Sequence, residues 1–505
     1  MKAKALQICG TGSGVGKSVL VSALCRILLQ DGYKVCPFKA QNMALNSFVT
    51  KDECEIGRAQ AVQALACRIE PDVDMNPVLI KPVTDVGAQV IVRGKPIGNM
   101  NARNYTRYKA KLIPVVKKSF DTLSKKYEAV VMEGAGSPAE INLKSHDIVN
   151  LKMAQYAKAP VILVGDIDKG GVFASLVGTL ELLTKAERRM IKGFIINKFR
   201  GDKSLLDPGL KWLERRTGIK VLGVIPYFKN IVIPEEDAVP LDNFTAGPSE
   251  EKQQKLDIAV IYLPHISNFT DFDALSSETD VSLRYVSRPE ELGKPDMIVI
   301  PGTKNTLFDL AHLHASGFVK KILSAVGSKF PPVLLGICGG YQMLGRLISD
   351  KHSIESSRKK IAGLKLLPVQ TRLMAKKELS RVRARALFSG IELLGYEIHH
   401  GVTTVPKSCK PLFEVFERSG RKVKYFDGAC SNNGRIFGTY IHGLFDAPGF
   451  RREFLNRARL MKGWPALSCA ADFNPDAQID KLAKLVRESI DISYLYKILN
   501  KGKAQ

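Results

Sequence analysis

The sequence predicts an α/β protein with two doubly wound domains on mainly parallel sheets, then a helical C-terminal tail. Three observations predict it. Short, uninterrupted apolar runs recur along the 505 residues, as strands buried on both faces require. Segments of helical spacing separate these runs, which is the rhythm of βαβ units. The rhythm breaks once, over a polar, breaker-rich stretch at 243–255, and then resumes.

In the first half, 5–9 reads as a strand and 18–30 as the helix after it. Residues 33–38, 129–132, 160–164, 192–197 and 221–225 read as further strands. The first domain is therefore set at 1–242 and the linker at 243–256. In the second domain, 257–450, the runs 257–262, 297–300, 333–336 and 436–441 are the strands. The tail, 451–505, is helical in pattern. Its residues Ile479, Leu482, Leu485, Val486 and Ile490 share one face, which should pack on the body of the protein.

With 45% hydrophobic and 25% charged residues, a disordered or fibrous chain is excluded. The net charge of +25 points to an anionic partner: nucleic acid, a membrane surface, a nucleotide or an acidic small substrate. Composition does not choose among them. Many of the cations fall within 356–385, which reads as a solvated basic surface. The nine cysteines are odd in number and contain no C-x-x-C pair, so they suit a reducing cytosol. The N-terminus runs straight into a Gly-rich turn, which argues against a signal peptide. No apolar run approaches the ~18–20 residues of a membrane span.

The first strand ends in Gly10-Thr-Gly-Ser-Gly-Val-Gly-Lys17-Ser18, and a helix follows. Backbone N–H groups of such a loop converge on phosphate oxygens at the positive end of a helix. Gly12, Gly14 and Gly16 belong to the cradle, Lys17 can reach the β- and γ-phosphates, and the Ser18 hydroxyl can ligate Mg²⁺. The usual spacing would put a Gly at position 11, where this chain has Thr, so the loop is a variant. Glu133, in Val130-Val-Met-Glu133-Gly-Ala-Gly136, lies just past a buried strand, at the ligand-bearing edge of a doubly wound sheet. It is placed to hold Mg²⁺ or its water. Asp166 and Asp168 follow another strand and are further candidates. Lys39, after the second strand, could neutralise a phosphate or a substrate carboxylate.

A second chemistry lies in Val333-Leu-Leu-Gly-Ile-Cys338-Gly-Gly340, a strand entering a sharp turn with a helix starting near Tyr341. This is a nucleophile elbow with Cys in place of Ser, and it presents the thiol beside backbone N–H groups. A buried structural thiol is the alternative, and the flanking glycines argue against it. His442, in Gly438-Thr-Tyr-Ile-His442-Gly443, ends a buried strand and is the candidate base and then acid. The turn Ile300-Pro-Gly302-Thr-Lys-Asn305 could complete an oxyanion hole. Gly302 and Gly339 are the binding residues assigned to this centre.

The elbow, the Pro-Gly turn and the Gly-Thr-Tyr-x-His-Gly stretch together resemble a class I glutamine amidotransferase domain. The resemblance implies a flavodoxin-like glutaminase in which Cys338 attacks the glutamine amide, a thioester forms and ammonia leaves. Typical members carry Glu two residues after the His. Here Leu444 stands there, as in the corrinoid-amidating subgroup, and the group that orients His442 is unassigned. The phosphate loop is similar to that of dethiobiotin synthetase and its relatives, which implies a P-loop NTPase-like first domain. Partitioning ATPases share that fold but carry a second Lys where Gly12 stands.

The fusion of these two units resembles the corrinoid amidoligases, and longer segments resemble the cobyric acid synthase family. These are Phe38-Lys-Ala-Gln-Asn-Met-Ala-Leu-Asn-Ser-Phe48, Glu55-Ile-Gly-Arg-Ala-Gln60, Met75-Asn-Pro-Val-Leu-Ile-Lys-Pro82, Glu133-Gly-Ala-Gly-Ser-Pro-Ala-Glu-Ile-Asn142, Asp166-Ile-Asp-Lys-Gly-Gly-Val-Phe173 and Gly395-Tyr-Glu-Ile-His399. The resemblance covers about 1–450. It implies ATP and Mg²⁺ as cofactors, with L-glutamine and a corrinoid polycarboxylate as the other small-molecule substrates. The reaction implied is amidation of the b, d, e and g carboxylates of adenosylcobyrinic acid a,c-diamide through acyl phosphates. It calls for neither nucleic acid nor a membrane. The sister a,c-diamide synthase differs in the segments after the P-loop and after the Glu-Gly turn. A non-enzymatic P-loop switch or partitioning ATPase is the other alternative, opposed by Gly12 and by the Cys–His pair. Lys39, Gln41, Asn42 and Arg58 are candidate contacts to the corrin ring.

Overall fold

The computed structural model describes residues 3–84, 87–228, 230–234 and 254–501. The first sheet contains β1 (Lys4–Gly10), β2 (Val35–Phe38), β3 (Ala129–Glu133), β4 (Val161–Asp166), β5 (Ile191–Phe199) and β6 (Val221–Pro226). Their order is β6-β5-β4-β1-β3-β2, and every pairing is parallel. These are the six runs read from the sequence, displaced by a residue or two at their ends. Both faces are covered, so the central strands are mainly apolar, with Gln7 of β1 a buried exception. The register puts Ile8 opposite Glu133 and Gly10 opposite Val164. The phosphate loop, Glu133 and Asp166 therefore emerge at one sheet edge, beside α1 (Lys17–Gln30).

Two hairpin insertions interrupt this series. One is a four-stranded sheet of Gln41–Met43, Val78–Thr84, Gly87–Val92 and Lys95–Asn101. The other pairs Ser47–Val49 with Glu55–Gly57 and leads into α2 (Arg58–Ala66).

The second domain begins with β7 (Leu256–Ile261), so Leu256 belongs to a strand and not to the linker; residues 243–253 of that linker lie outside the described residues. It continues with β8 (Val281–Val286), β9 (Met297–Ile300) and β10 (Val333–Ile337). Two long antiparallel strands follow, β11 (Gln370–Ala386) and β12 (Glu392–Thr404), and then β13 (Ala429–Cys430) and β14 (Ile436–Thr439). The main sheet runs β8-β7-β9-β10-β14-β13. β14 stops two residues before the expected end, because the Thr439 hydroxyl takes the Ile441 N–H at 3.0 Å and the chain turns.

The tail is not one unit. Its first helix, α3 (Pro448–Met461), starts inside the second domain and packs there. Arg451 pairs with Glu278 at 2.6 Å, and Arg452 and Arg459 both reach Asp280 at 2.9 Å. The last helices, α4 (Pro475–Ser489) and α5 (Ile492–Lys501), return to the first domain. Ile479, Leu482, Val486 and Ile490 enter the core that holds Leu20 and Leu24 of α1, while Leu485 is only half-buried. Arg26 of α1, fully buried, bonds Asp480 at 2.7 Å and also pairs with Asp476. Among the described residues, no helix is long and apolar enough to cross a membrane.

The basic stretch 356–385 is only partly a solvated surface. Lys377 of β11 is buried against Glu55 of the first domain at 2.5 Å, and Lys81 bonds the same carboxylate at 3.0 Å. Arg381 reaches the Val49 carbonyl at 2.9 Å. Burial opposes charge on Glu55, but Lys377 and Lys81 hold its carboxyl well below the ordinary 4.5. The stability this contributes is present above pH 4.5 and is lost as pH falls below it. Glu55→Leu leaves Lys81 and Lys377 facing each other without the carboxylate. It should cost about 3–5 kcal/mol, read as a lowered urea midpoint.

Candidate active site

The phosphate loop is shaped by left-handed glycines, Gly14 at φ 70° and Gly16 at φ 94°. A Cβ on Gly16 would fall 2.2 Å from Asn197 Nδ2, which donates to the Val15 carbonyl at 2.9 Å. Only glycine fits there. Gly12 contributes its carbonyl, which accepts from Lys17 Nζ at 2.7 Å, and the same ammonium reaches the Gly136 carbonyl at 3.2 Å.

Glu133 is the hub. Ser18 Oγ donates to its Oε1 at 2.8 Å, Lys39 Nζ to the same oxygen at 2.7 Å, and Gln63 Nε2 to Oε2 at 2.5 Å. Burial works to raise this carboxyl, but Lys39 and the three donors hold it below the ordinary range. Asp166 pairs with Lys198 at 2.9 Å, and Lys198 also donates to the Gly14 carbonyl at 2.6 Å. Asp166 thus braces the loop through a lysine. Asp168 turns outward to the exposed Arg200.

The four residues considered for the corrin ring do not form one surface. Lys39 belongs to the Glu133 cluster. Gln41 accepts from the Tyr105 hydroxyl at 2.5 Å, and the buried Asn42 donates to Gln60 at 3.0 Å. Arg58 faces the other centre.

At that centre, Cys338 caps β10 with φ 53° and ψ −108°, a strained elbow held by its N–H bond to the Thr439 carbonyl at 2.8 Å. A Cβ on Gly339 would lie 2.6 Å from Thr303 Cγ2, and one on Gly302 would lie 3.0 Å from His442 Cε1. Both glycines therefore allow the Pro-Gly turn to close on the thiol. Within that turn, Lys304 N–H is committed to the His265 carbonyl and Asn305 N–H to Thr303 Oγ1. Two N–H groups of the turn are thus already engaged.

His442 is fully buried. Its Nδ1 lies 2.7 Å from Asp271 Oδ2, and the Gly443 N–H donates to the other carboxylate oxygen at 2.9 Å. Its Nε2 makes no hydrogen bond among the described residues, and the Cys338 thiol acts on the ring. Burial disfavours a charged imidazole, but Asp271, aided by Cys338, pushes His442 up to about 10. The orienting group is thus Asp271, in place of the Glu that Leu444 replaces. Tyr396 stacks on the imidazole at 5.2 Å.

A cavity of about 30 Å³ opens at Cys338, lined by Lys304, Glu355, Lys377 and His399, and by Lys81 from the first domain. Burial, with Lys377 nearby, pushes Lys304 down to about 7. Cys, His and Asp in this order of contact suit acyl transfer through a thioester. Asp271, Tyr396, Gln63 and Lys198 escaped the sequence reading. The Asp271–His442 contact spans 171 residues, and the only local trace is a carboxylate set between Phe269 and Phe272.

Asp271→Asn should lower glutamine hydrolysis by roughly 10²–10⁴-fold, because the wrong tautomer of His442 is favoured. It should also move the His442 titration down from about 10 in an NMR pH series. In the native protein, this imidazole's stabilising contribution is complete below about pH 6.5 and is lost as pH rises through about 10.

Each half of the chain matches a known family. Residues 6–241 match the CobQ/CobB/MinD/ParA nucleotide binding domain, and 257–450 the CobB/CobQ-like glutamine amidotransferase domain. A cobyric acid synthase of Dehalococcoides mccartyi is 49% identical over 508 residues, covering 99% of each chain. One of Nitratidesulfovibrio vulgaris is 46% identical over 539 residues, again covering 99% of each. The adenosylcobalamin biosynthesis bifunctional protein CobDQ of Leptospira interrogans is 46% identical over 502 residues, 99% of this chain and 57% of that one. With two catalytic units in the same order and near-half identity along its whole length, this chain belongs to the cobyric acid synthase family.

Proposed function

We propose that this enzyme amidates the b, d, e and g side-chain carboxylates of adenosylcobyrinic acid a,c-diamide, using glutamine as nitrogen donor and converting ATP to ADP. The observation that carries this reading is the pairing, in one chain, of a phosphate cradle with a Cys338–His442–Asp271 line across a shared interface.

A carboxylate is a poor electrophile. Phosphoryl transfer from ATP makes it an acyl phosphate and releases ADP, and ammonia then displaces phosphate. Lys17 and the loop N–H groups would orient the triphosphate for in-line transfer. Ser18 and Glu133, 2.8 Å apart, offer the hard oxygens that Mg²⁺ takes alongside water and phosphate. Mg²⁺, when bound, supplies neutralisation of the developing phosphate charge.

In the second domain, the Cys338 proton rests on His442 Nε2, in the cationic imidazole that Asp271 favours, and the sulfur attacks the glutamine amide carbon. Gly302, Thr303 and Gly339 would hold the oxyanion. His442 returns the proton to the departing ammonia, and water hydrolyses the thioester to glutamate. We assign the reaction to the cytoplasm, whose reducing medium suits nine unbridged cysteines.

Incubation with ATP, glutamine and the corrinoid diamide, followed by mass spectrometry, should show up to four amide conversions. No mass change with a preparation that binds all three substrates would refute the reading. Cys338→Ala should abolish glutamine use yet keep activity with free ammonia, whereas Lys17→Ala should abolish both.

A further inference from the structure

Beside the cavity at Cys338 lies a second and larger one, of about 200 Å³. The two share one lining residue, His399 of β12. His399 stacks on Tyr440 at 3.8 Å between ring centres, and Tyr440 belongs to the second cavity alone. Val402 and Phe426, both more than half exposed, stand at its rim, so solvent reaches it without passing Cys338.

This cavity is lined by three carboxylates and one guanidinium. Arg418 is spent on Glu378, with which it pairs. Glu397 and Asp427 are both buried, and neither pairs with a cation among the described residues. Glu397 accepts from the Tyr425 and Ser380 hydroxyls at 2.9 and 3.0 Å. Both donors reach Oε2, which leaves Oε1 without a hydrogen bond among the described residues. Asp427 accepts from the Thr439 hydroxyl and the Tyr440 N–H. Burial raises both carboxyls above the ordinary range, and Glu397 adds to the rise at Asp427.

An independent observation comes from Tyr341, on the helix Gly339–Leu344, which lines the same cavity. Tyr341 is fully buried, and its hydroxyl has no hydrogen-bond partner among the described residues. Its ring is held against Gly438, where a Cβ would lie 2.0 Å from Cδ2, so the hydroxyl has little freedom to seek a partner elsewhere. Asp427 is the carboxylate whose field falls most on it. A buried hydroxyl left unsatisfied is costly, and a ligand that donates to it removes that cost. The charge calls for a cation. Among the described residues, no three His, Cys, Asp or Glu side chains converge closely enough to hold a metal ion. An organic ammonium needs no such convergence, and tyrosine rings suit its charge and its chain.

We propose that this cavity binds a small primary alkylammonium, with its charge matched by Glu397 and Asp427 and an N–H donated to the Tyr341 hydroxyl. The short chain lies among Tyr341, Tyr425 and Tyr440. The site is separate from the glutamine cavity, and its ligand is one that the proposed reaction does not consume.

A ligand-observed NMR titration of the full-length protein with propylammonium chloride tests this. Saturable binding should appear, and propan-1-ol, the neutral isostere, should bind about tenfold more weakly or worse. Glu397→Gln should weaken propylammonium binding about tenfold or more, and Tyr341→Phe about fivefold or more. Without ligand, Tyr341→Phe should keep a urea midpoint at or above the native one, because the hydroxyl it removes has no partner. That variant keeps the test valid if Glu397→Gln does not fold. Repeating the titration on Cys338→Ala with saturating L-glutamine should leave the affinity unchanged. No saturable binding leaves the cavity to water and overturns the proposal. So does equal affinity for propan-1-ol, or native affinity in both variants. Displacement by glutamine would give the site to the substrate's own α-ammonium and overturn its independence.

Discussion

A carboxylate sealed from water must be matched by cations within reach, and Glu55 is matched by one lysine from each half of the molecule. That requirement fixes where the hairpin Ser47–Val49/Glu55–Gly57 sits against β11. The chain then has only two residues, Ile56 and Gly57, before helix Arg58–Ala66 begins. The ion triad therefore sets the position of Phe48 beside Tyr396 and of Gln63 beside Glu133. Both centres inherit their alignment from a single buried charge.

The two centres use opposite electrostatic devices. At Glu133, surrounding donors keep an anion charged in a buried place, where a cation and phosphates can exchange with them. At His442, an anion behind the ring overcomes burial and favours the cationic imidazole. The first arrangement stores negative charge for a ligand, while the second raises the basicity of a group that must lift a proton from sulfur. Separate domains keep these demands from interfering. Lys81, reaching from the first domain to the cavity at Cys338, is a point where they meet.

Much of this was legible in the residues. Parallel strands buried on both faces read as apolar runs, so β1 to β6 and the centre of the second sheet were visible without coordinates. The loop Gly10–Ser18 and the elbow at Cys338 are local motifs, and local motifs survive in one dimension. What stayed hidden is non-local or edge-like. β8 carries Arg284 in mid-strand because it pairs with Asp257, and that charge broke the apolar signal. β11 read as solvated because its lysines and arginines find their carboxylates elsewhere, Lys377 and Glu55 being 322 residues apart. Asp271 was invisible for the same reason. Two of the corrin-contact candidates, Gln41 and Asn42, carry hydrogen bonds to Tyr105 and Gln60 that no local pattern announces.

The return of α4 and α5 to the first domain also bears on how the molecule is made. Ile479, Leu482, Val486 and Leu495 complete a core whose other members, Leu20, Leu24 and Ile27, leave the ribosome hundreds of residues earlier. Until α4 is made, the first domain lacks its apolar cover along α1, and Arg26 has the Leu65 and Ala66 carbonyls but neither of its carboxylates. The groove closes only when α4 and α5 emerge. The order of synthesis and the order of assembly thus run in opposite senses, and the earlier of the two domains is sealed after the later one.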